Sequence, residues 1–119
     1  MEIKLFDSEL KVMSVLWKEG DQTAKQISDI LKEEISWNMN TTYTVIKKCI
    51  AKGAIERREP NFLCHALIKK EEVQAAETEE LIGKLFDGSA DLLFASLLGS
   101  RKVSKEQLEK LRKLVDEME

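Results

Sequence analysis

Hydrophobic residues recur every three or four positions over residues 7–19, which predicts an amphipathic helix with one face in a core. Asp7 is the expected N-cap of this helix, and Gly20 is its expected stop. The apolar stripe consists of Leu10, Met13, Leu16 and Trp17. A helix of this pattern needs a neighbouring element to cover its apolar face.

A second helix is predicted from Thr23, because Thr23 and Gln26 have the spacing of a capping box, with Thr at the N-cap and Gln at N3. Its inward-facing residues are Ile27, Ile30 and Leu31. A third helical segment, residues 40–52, follows after a short connection and is expected to end at Gly53.

The third segment is rich in β-branched and aromatic residues, which are weak helix formers. Winding it at helical pitch separates two faces. The inward face holds Thr42, Val45, Ile46, Cys49 and Ile50. The outward face holds Asn40, Thr41, Tyr43, Thr44, Lys47, Lys48 and Ala51. Hydroxyls, an amide, a phenol and two ammonium groups on one face can bind base edges and phosphates of DNA.

Two short strands, residues 54–58 and 62–67, are predicted next, with Pro60 and Asn61 in the turn. Arg57 and Arg58 lie on this hairpin. Three helices followed by a hairpin is the element order of a winged helix-turn-helix. The fold class expected is therefore mainly α with a small β-hairpin wing, and the arginines are expected to contact phosphate or the minor groove.

From residue 69 onward the pattern is helical again. Helices are predicted over residues 71–86 and 90–98, with breaks at 87–89 and at Gly99 and Ser100. A last helix is predicted from the capping box of Ser104 and Gln107. The expected division is a winged-helix domain over residues 1–68 and a three-helix domain over 69–119.

The C-terminal helices are too short to bury their apolar side chains alone, because a core below about 70–80 residues supplies little stability. The simplest way to cover these side chains is a second copy of the chain related by a two-fold axis. The alternative is that the helices only pack against the first domain. The residues expected to mediate dimerisation are Leu92, Leu93, Phe94, Leu97, Leu98, Leu108, Leu111 and Val115.

The net charge of −3 over 119 residues argues at first against a nucleic-acid partner, but the distribution changes this picture. Residues 38–58 carry five basic residues and one acidic residue, whereas residues 1–37 carry five and eight. Because salt confines electrostatic interactions to about 8–10 Å, a local basic patch can bind phosphate on an acidic protein. A merely solvated charged face is the alternative interpretation.

Candidate chemistry is sparse. Cys49 and Cys64 are the only cysteines and His65 the only histidine, so one chain cannot supply a closed zinc site. Adjacent strand residues such as Cys64 and His65 also point to opposite faces. No catalytic triad, phosphate-binding glycine loop or paired carboxylates stand out, so neither an enzyme nor a cofactor is expected. The charged N-terminus and the lack of a long apolar run predict a cytoplasmic protein without a membrane partner.

The segments SELKVMSVLWKEG, TAKQISDILKE, WNMNTTYTVIKKCIAKGAI and KLFDGSADLLFASLL, in this order and spacing, resemble the penicillinase repressor family (BlaI/MecI), which also includes copper-operon repressors of the CopY type. The resemblance runs from Leu5 to about Val115. It implies a homodimeric transcriptional repressor that binds an inverted repeat of the TACA/TGTA type in double-stranded DNA. It places Thr41, Tyr43, Thr44, Lys47 and Lys48 of the recognition helix and Arg57 and Arg58 of the wing against DNA.

Three departures from the family pattern qualify these expectations. In antibiotic-responsive members, induction follows proteolysis of an Asn-Phe bond in the dimerisation region. The aligned pair here looks like Ser96-Leu97, which leaves this switch, and a sensor protease as a partner, open. The cysteine cluster of copper-responsive members is missing after Cys64. Asn38-Met39 replaces the usual Ser-Pro, which predicts a less fixed helix start and a different target sequence.

Two other functions remain as alternatives. The first is a protein-interaction adaptor that uses the winged helix as a docking scaffold. The second is a redox-responsive regulator, which would require Cys64 to be exposed on the wing.

Overall fold

The computed structural model describes residues 3–100 and 104–117, and within them six helices and three short strands. The helices are α1 (Asp7–Glu19), α2 (Ala24–Ile35), α3 (Met39–Ala51), α4 (Lys70–Leu85), α5 (Ala90–Ser100) and α6 (Lys105–Glu117). The strands are β1 (Gln22–Thr23), β2 (Ile55–Arg58) and β3 (Leu63–Ala66). The chain divides into two compact units, Met1–Ala76 and Glu77–Glu119. Their assignment as a DNA-binding and a dimerisation domain stays a prediction.

Helix α1 begins one residue earlier than expected, since Phe6 rather than Asp7 occupies the N-cap. The sequence-based choice of Asp7 is wrong because the helix start is capped by a side chain inside the helix and not by one at the N-cap position. The Glu9 carboxylate, at position N3, accepts a hydrogen bond from the Phe6 backbone N–H at 2.7 Å. Gly20 ends the helix as predicted, with a φ of 81° that favours glycine.

Helices α2 and α3 both begin at side-chain caps. The predicted capping box of α2 is confirmed: Thr23 Oγ1 accepts from the Gln26 N–H at 3.1 Å, and Gln26 Oε1 accepts from the Thr23 N–H at 2.8 Å. Asn38 caps α3 by accepting from the Thr41 N–H at 2.8 Å. The departure from Ser-Pro therefore does not leave the helix start uncapped, and Met39 takes position N1.

The hairpin of β2 and β3 is confirmed and is part of a three-stranded antiparallel sheet of order β1-β3-β2. Both hairpin strands are shorter than expected, and the sequence analysis missed β1. A strand of two residues is too short to show an alternating pattern, and Thr23 serves at once as strand residue and helix cap. The register pairs Arg57 with Cys64 and Arg58 with Leu63.

The core of the first unit lies between α1, α2, α3 and the sheet. Its buried apolar residues are Leu5, Val12, Met13, Val15, Leu16, Ala24, Ile27, Leu31, Val45, Ile46, Cys49, Ala54, Ile55 and Cys64. In α1 the stripe is shifted from the expected one, because Val12 and Val15 are buried while Leu10 and Trp17 are only partly covered. Trp17 instead donates a hydrogen bond from Nε1 to the Ile68 carbonyl at 3.0 Å, which ties α1 to the chain after the sheet.

A buried ion pair connects α1 to the end of α3. Glu9 is 1% exposed, and its Oε1 lies 2.6 Å from Lys52 Nζ. Lys52 Nζ also donates to the Lys4 carbonyl at 2.8 Å and lies 4.1 Å from the centroid of the Phe6 ring. The ammonium group is thus surrounded by a carboxylate, a carbonyl and an aromatic face, which compensates for its partial desolvation.

The second unit contains the remainder of α4, together with α5 and α6. The predicted break after α4 is confirmed by positive φ values at Asp87 and Gly88. The predicted break at Gly99 and Ser100 is wrong, since both residues belong to α5, which ends at Ser100. One glycine costs a helix about 1 kcal/mol but ends it only where the backbone turns to positive φ, which Gly99 does not do. The capping box of α6 is confirmed, with Ser104 Oγ accepting from the Gln107 N–H at 3.1 Å.

The ion pair of Glu9 generates a prediction about stability. Burial raises the pKa of Glu9, but the hydrogen bonds from Lys52 and from the Phe6 N–H outweigh it and hold the pKa below its ordinary value of 4.5. The stabilisation is therefore fully present above pH 4.5 and is lost as the pH falls through the folded-state pKa. We expect Glu9→Gln to lower the free energy of unfolding by about 2 kcal/mol at pH 7, because Lys52 is left without its counter-ion.

Urea titrations from pH 3 to 7, followed by the fluorescence of Trp17 and Trp37 in the first unit, measure this difference. The difference between Glu9→Gln and wild type should shrink below pH 4.5. Glu19→Gln, an exposed change in the same helix, should alter stability by less than about 0.5 kcal/mol. A pH-independent difference for Glu9→Gln would contradict the ion-pair account.

Candidate nucleic-acid interface

Helix α3 has the two faces that the sequence predicted. Thr42, Val45, Ile46 and Cys49 are buried, and Ile50 is partly covered at the edge of the core. The opposite face is exposed and consists of Asn40, Thr41, Thr44, Lys47, Lys48 and Ala51. Because packing holds the helix by its inner face, the outer side chains are free to serve another purpose.

Thr44 on this outer face is already engaged through its hydroxyl. Its Oγ1 donates to the Asn40 carbonyl at 2.8 Å, one turn back along the helix. Such a bond uses the hydroxyl proton within the helix. The groups that Thr44 has left for a ligand are its methyl group and the lone pairs of Oγ1.

Tyr43 lies at the boundary between the exposed face and the sheet. Its ring contacts the ring of Phe62 edge to face, with centroids 5.9 Å apart and planes at 77°. The guanidinium carbon of Arg57 lies 3.7 Å from the centroid of the same Phe62 ring. The structure thus brings one arginine of the wing next to α3, through the ring of Phe62.

The two wing arginines lie on opposite faces of β2, because side chains alternate along a strand. Arg57 shares its face with buried Ile55 and pairs with buried Cys64. Arg58 lies on the other face, where its Nη1 is 3.9 Å from Asp21 Oδ2. The sequence analysis expected both arginines to extend one surface. The strand register instead places them on opposite faces of β2.

Each wing arginine also has a carboxylate partner. Arg57 Nε donates to Glu59 Oε1 at 2.7 Å, and Arg58 Nε donates to Glu56 Oε1 at 2.6 Å. These hydrogen bonds hold the pKa of Glu59 and that of Glu56 below their ordinary range and raise the pKa of Arg58. A phosphate approaching the wing therefore meets guanidinium groups whose charge is partly balanced by neighbouring carboxylates.

Several residues at this surface were missed by sequence reasoning. Phe62 was placed in a strand without a role, and Glu56 and Glu59 were not connected to the arginines. Asp21 was not considered; its Oδ1 lies 2.8 Å from His65 Nδ1. Spacing offered a signal for both glutamates, because each is two residues from its arginine, and Glu56 also shares a face of the predicted strand with Arg58.

The two cysteines are buried and are core residues. Cys64 is 0% exposed, so the exposed thiol that the redox alternative requires is absent and that interpretation is wrong. His65 is turned to Asp21 instead, in agreement with the expectation that the two neighbours face different ways. Among the described residues, no three His, Cys, Asp or Glu side chains come together in a way that could hold a metal ion.

The residues expected to mediate dimerisation lie on α5 and α6. Leu92 and Leu98 are exposed in the single chain, and Leu93, Phe94, Leu97 and Leu108 are partly covered. The side chains of Leu111 and Val115 lie outside the described set. The pair Ser96-Leu97 lies inside α5.

An open cleft of about 590 Å³ lies between α5 and α6. It is lined by Phe94, Leu98 and Leu108, with charged residues around it. None of the described side chains of this unit is buried.

The described helices include none that is both long enough and apolar enough to cross a membrane.

The arrangement of the first unit defines the class of the protein. Three helices followed by an antiparallel hairpin, with a short strand from the loop before α2 completing the sheet, form a winged helix. The solution structure of the DNA-binding domain of the repressor BlaI superposes with a TM-score of 0.54 at 25% identity, covering 59% of this chain and 88% of that domain.

The sequence comparisons identify the family. A model of the penicillinase repressor family matches residues 5–117, and the chain therefore belongs to that family. The methicillin resistance regulatory protein MecI of Mammaliicoccus sciuri is 22% identical over 115 residues, which cover 95% of this chain and 94% of MecI. The penicillinase repressor of Bacillus licheniformis is 21% identical over 116 residues, covering 96% of this chain and 91% of that protein. These names denote regulatory proteins, which points away from an enzyme.

The burial of the thiols generates a second prediction. Burial raises the pKa of Cys64 to about 11 and that of Cys49 to about 12. At pH 8 only about one Cys64 in a thousand is then a thiolate, which is the reactive form. We expect iodoacetamide to label neither thiol at an appreciable rate in the folded protein and to label both rapidly in 8 M urea, as read by intact-mass measurement. Stoichiometric labelling of native Cys64 at the rate of a free cysteine would contradict this.

Proposed function

We propose that this protein is a homodimeric transcriptional repressor whose winged helix binds an inverted-repeat operator and occludes a promoter. The observation that carries the proposal is the exposed face of α3. It combines hydrogen-bonding side chains with Lys47 and Lys48 on a helix held only by its other face. Membership of the penicillinase repressor family and the likeness to the BlaI DNA-binding domain support the same function.

The residues divide into two roles. Base readout is assigned to Asn40, Tyr43 and Thr44, near the start of the recognition helix where side chains reach base edges. Thr44 would read a thymine methyl group through its own methyl group, since its hydroxyl proton is bonded to Asn40. Phosphate anchoring is assigned to Lys47, Lys48, Arg57 and Arg58, and Thr41 borders the same surface. The operator expected is of the TACA/TGTA type.

Dimerisation is assigned to α5 and α6. A unit in which no described side chain is buried, but which carries Leu92, Phe94 and Leu98 on one short helix, has apolar surface without a core to enter. A second copy supplies the missing partner and also gives the two-fold symmetry that an inverted repeat demands.

Replacing Lys47 tests the DNA-binding surface. Lys47→Gln removes one phosphate contact, so we expect weaker binding to every duplex sequence and a fall of about 0.9 in the slope of log K against log salt concentration. Fluorescence anisotropy at several salt concentrations measures both quantities. Lys84→Gln, which removes the same charge in the second unit, is the matched control and should leave the slope unchanged. An unchanged slope in Lys47→Gln would show that the surface is assigned wrongly.

Replacing Leu98 tests the dimer. Leu98 is 57% exposed in the single chain, so Leu98→Asp should not disturb the fold of a protomer but should place a charge in the proposed interface. We expect sedimentation equilibrium to give a monomer at micromolar concentrations. Leu67→Asp, at a 50% exposed position of the first unit, should remain dimeric. A dimer that survives Leu98→Asp, or a wild-type monomer, would overturn this assignment.

A further inference from the structure

Phe62 lies between the wing and the recognition helix. Its ring contacts Tyr43 of α3 on one side, with centroids 5.9 Å apart, and the guanidinium carbon of Arg57 lies 3.7 Å from the ring centroid. Lys47 lies one helical turn after Tyr43, and its exposed side chain is one of the proposed phosphate contacts. One aromatic ring therefore connects an arginine of the wing to the helix that would enter the groove.

The backbone of Phe62 is fixed at both of its polar groups. Its carbonyl accepts from the Ala24 N–H at 3.0 Å, at the start of α2. Its N–H donates to Glu59 Oε2 at 3.3 Å, and the other oxygen of Glu59 accepts from Arg57 Nε at 2.7 Å. The residue also has a φ of 55°, a conformation that a side chain of this size rarely adopts. The backbone of Phe62 is thus held by the start of α2 and by Glu59, and Glu59 also accepts a hydrogen bond from Arg57.

Arg57 and Arg58 differ in whether their guanidinium group is supported by the Phe62 ring. Arg57 is stacked on Phe62, whereas Arg58 is on the opposite strand face with Glu56 and Asp21. Both side chains are exposed to a similar degree, 48% and 46%, so accessibility does not distinguish them. What distinguishes them is the rigid aromatic support under one guanidinium.

We propose that Phe62 is a positioning residue that presents Arg57 to the DNA backbone in register with Tyr43 and Lys47. This rests on the proposed function. A guanidinium stacked on a ring loses less freedom on binding than one at the end of a mobile chain, and its planar fork can still engage a phosphate through Nη1 and Nη2 while Glu59 holds Nε. Phe62 itself does not contact DNA in this role.

A double-mutant cycle on DNA binding tests the role. We expect Phe62→Leu to weaken operator binding about two- to fivefold. It should also lower the salt slope in the same direction as Arg57→Gln, because the arginine contact is lost in both. The double variant should bind no more weakly than Arg57→Gln alone. Phe62→Tyr, which keeps the ring, should restore wild-type binding. Combined with Arg58→Gln, the effect of Phe62→Leu should be additive.

Arg57→Lys provides a variant at an exposed side chain that does not threaten the fold. It keeps the charge but loses the planar stacking group, so we expect affinity to fall nearly as far as in Arg57→Gln. Should Phe62→Leu lose its helical circular dichroism, this variant and Phe62→Tyr decide the question. Full affinity in Arg57→Lys overturns the proposal. So does strict additivity of Phe62→Leu with Arg57→Gln, or a salt slope that Phe62→Leu leaves unchanged.

The outcomes also separate this inference from the proposed function. A wild-type protein that shows no salt-dependent binding to duplex DNA defeats the proposed function and this inference with it. A wild-type protein that binds DNA, with Phe62 and Arg57 acting independently, defeats only the positioning role.

Discussion

The structure of the proposed interface depends on the burial of one face of α3. This helix is built largely from residues that are poor helix formers, and it has no acidic residue in its first turn to interact with the helix dipole. Burying a Val or Ile side chain is worth about 1.5–3 kcal/mol, and Val45 and Ile46 are buried against the other helices and the sheet. Since tertiary packing holds α3, its outer residues are not needed to stabilise it.

The second constraint is the pairing of charge around this helix. Residues 38–58 look strongly basic in the sequence, but Lys52 is turned inward to Glu9, and the wing arginines are bonded to Glu56 and Glu59. The net positive charge offered to a phosphate is therefore smaller than the composition suggests, and it is concentrated at Lys47 and Lys48. Because the protein has a net charge of −3, binding to phosphate would depend strongly on where Lys47 and Lys48 are placed.

Sequence reasoning predicted the parts of the fold that are determined locally. Helix caps at Thr23 and Ser104, the stops at Gly20 and Gly53 and the inner face of α3 all follow from neighbours within one or two turns. It failed where the outcome depends on partners distant in the chain. The sequence analysis gave Glu9 no role, and its burial depends on hydrogen bonds from Lys52, which is distant in the chain, and from the Phe6 N–H.

The candidate site shows the same division. The outward side chains of α3 could be chosen from helical period alone. The contact between Tyr43, Phe62 and Arg57 could not, because it depends on how the hairpin packs against α3 and on which strand face each arginine occupies. Strand alternation predicts that neighbouring arginines diverge, but only the register shows which of them faces the helix.

In the proposed function, the winged helix reads a defined DNA sequence as part of a symmetric dimer. The most direct measurement is selection of binding sites from a pool of random duplexes with the full-length protein. We expect enrichment of an inverted repeat, with TACA/TGTA-like half-sites and a fixed spacing. Recovery of sequences no different from the starting pool would contradict it and would favour a winged helix used as a scaffold for protein interactions.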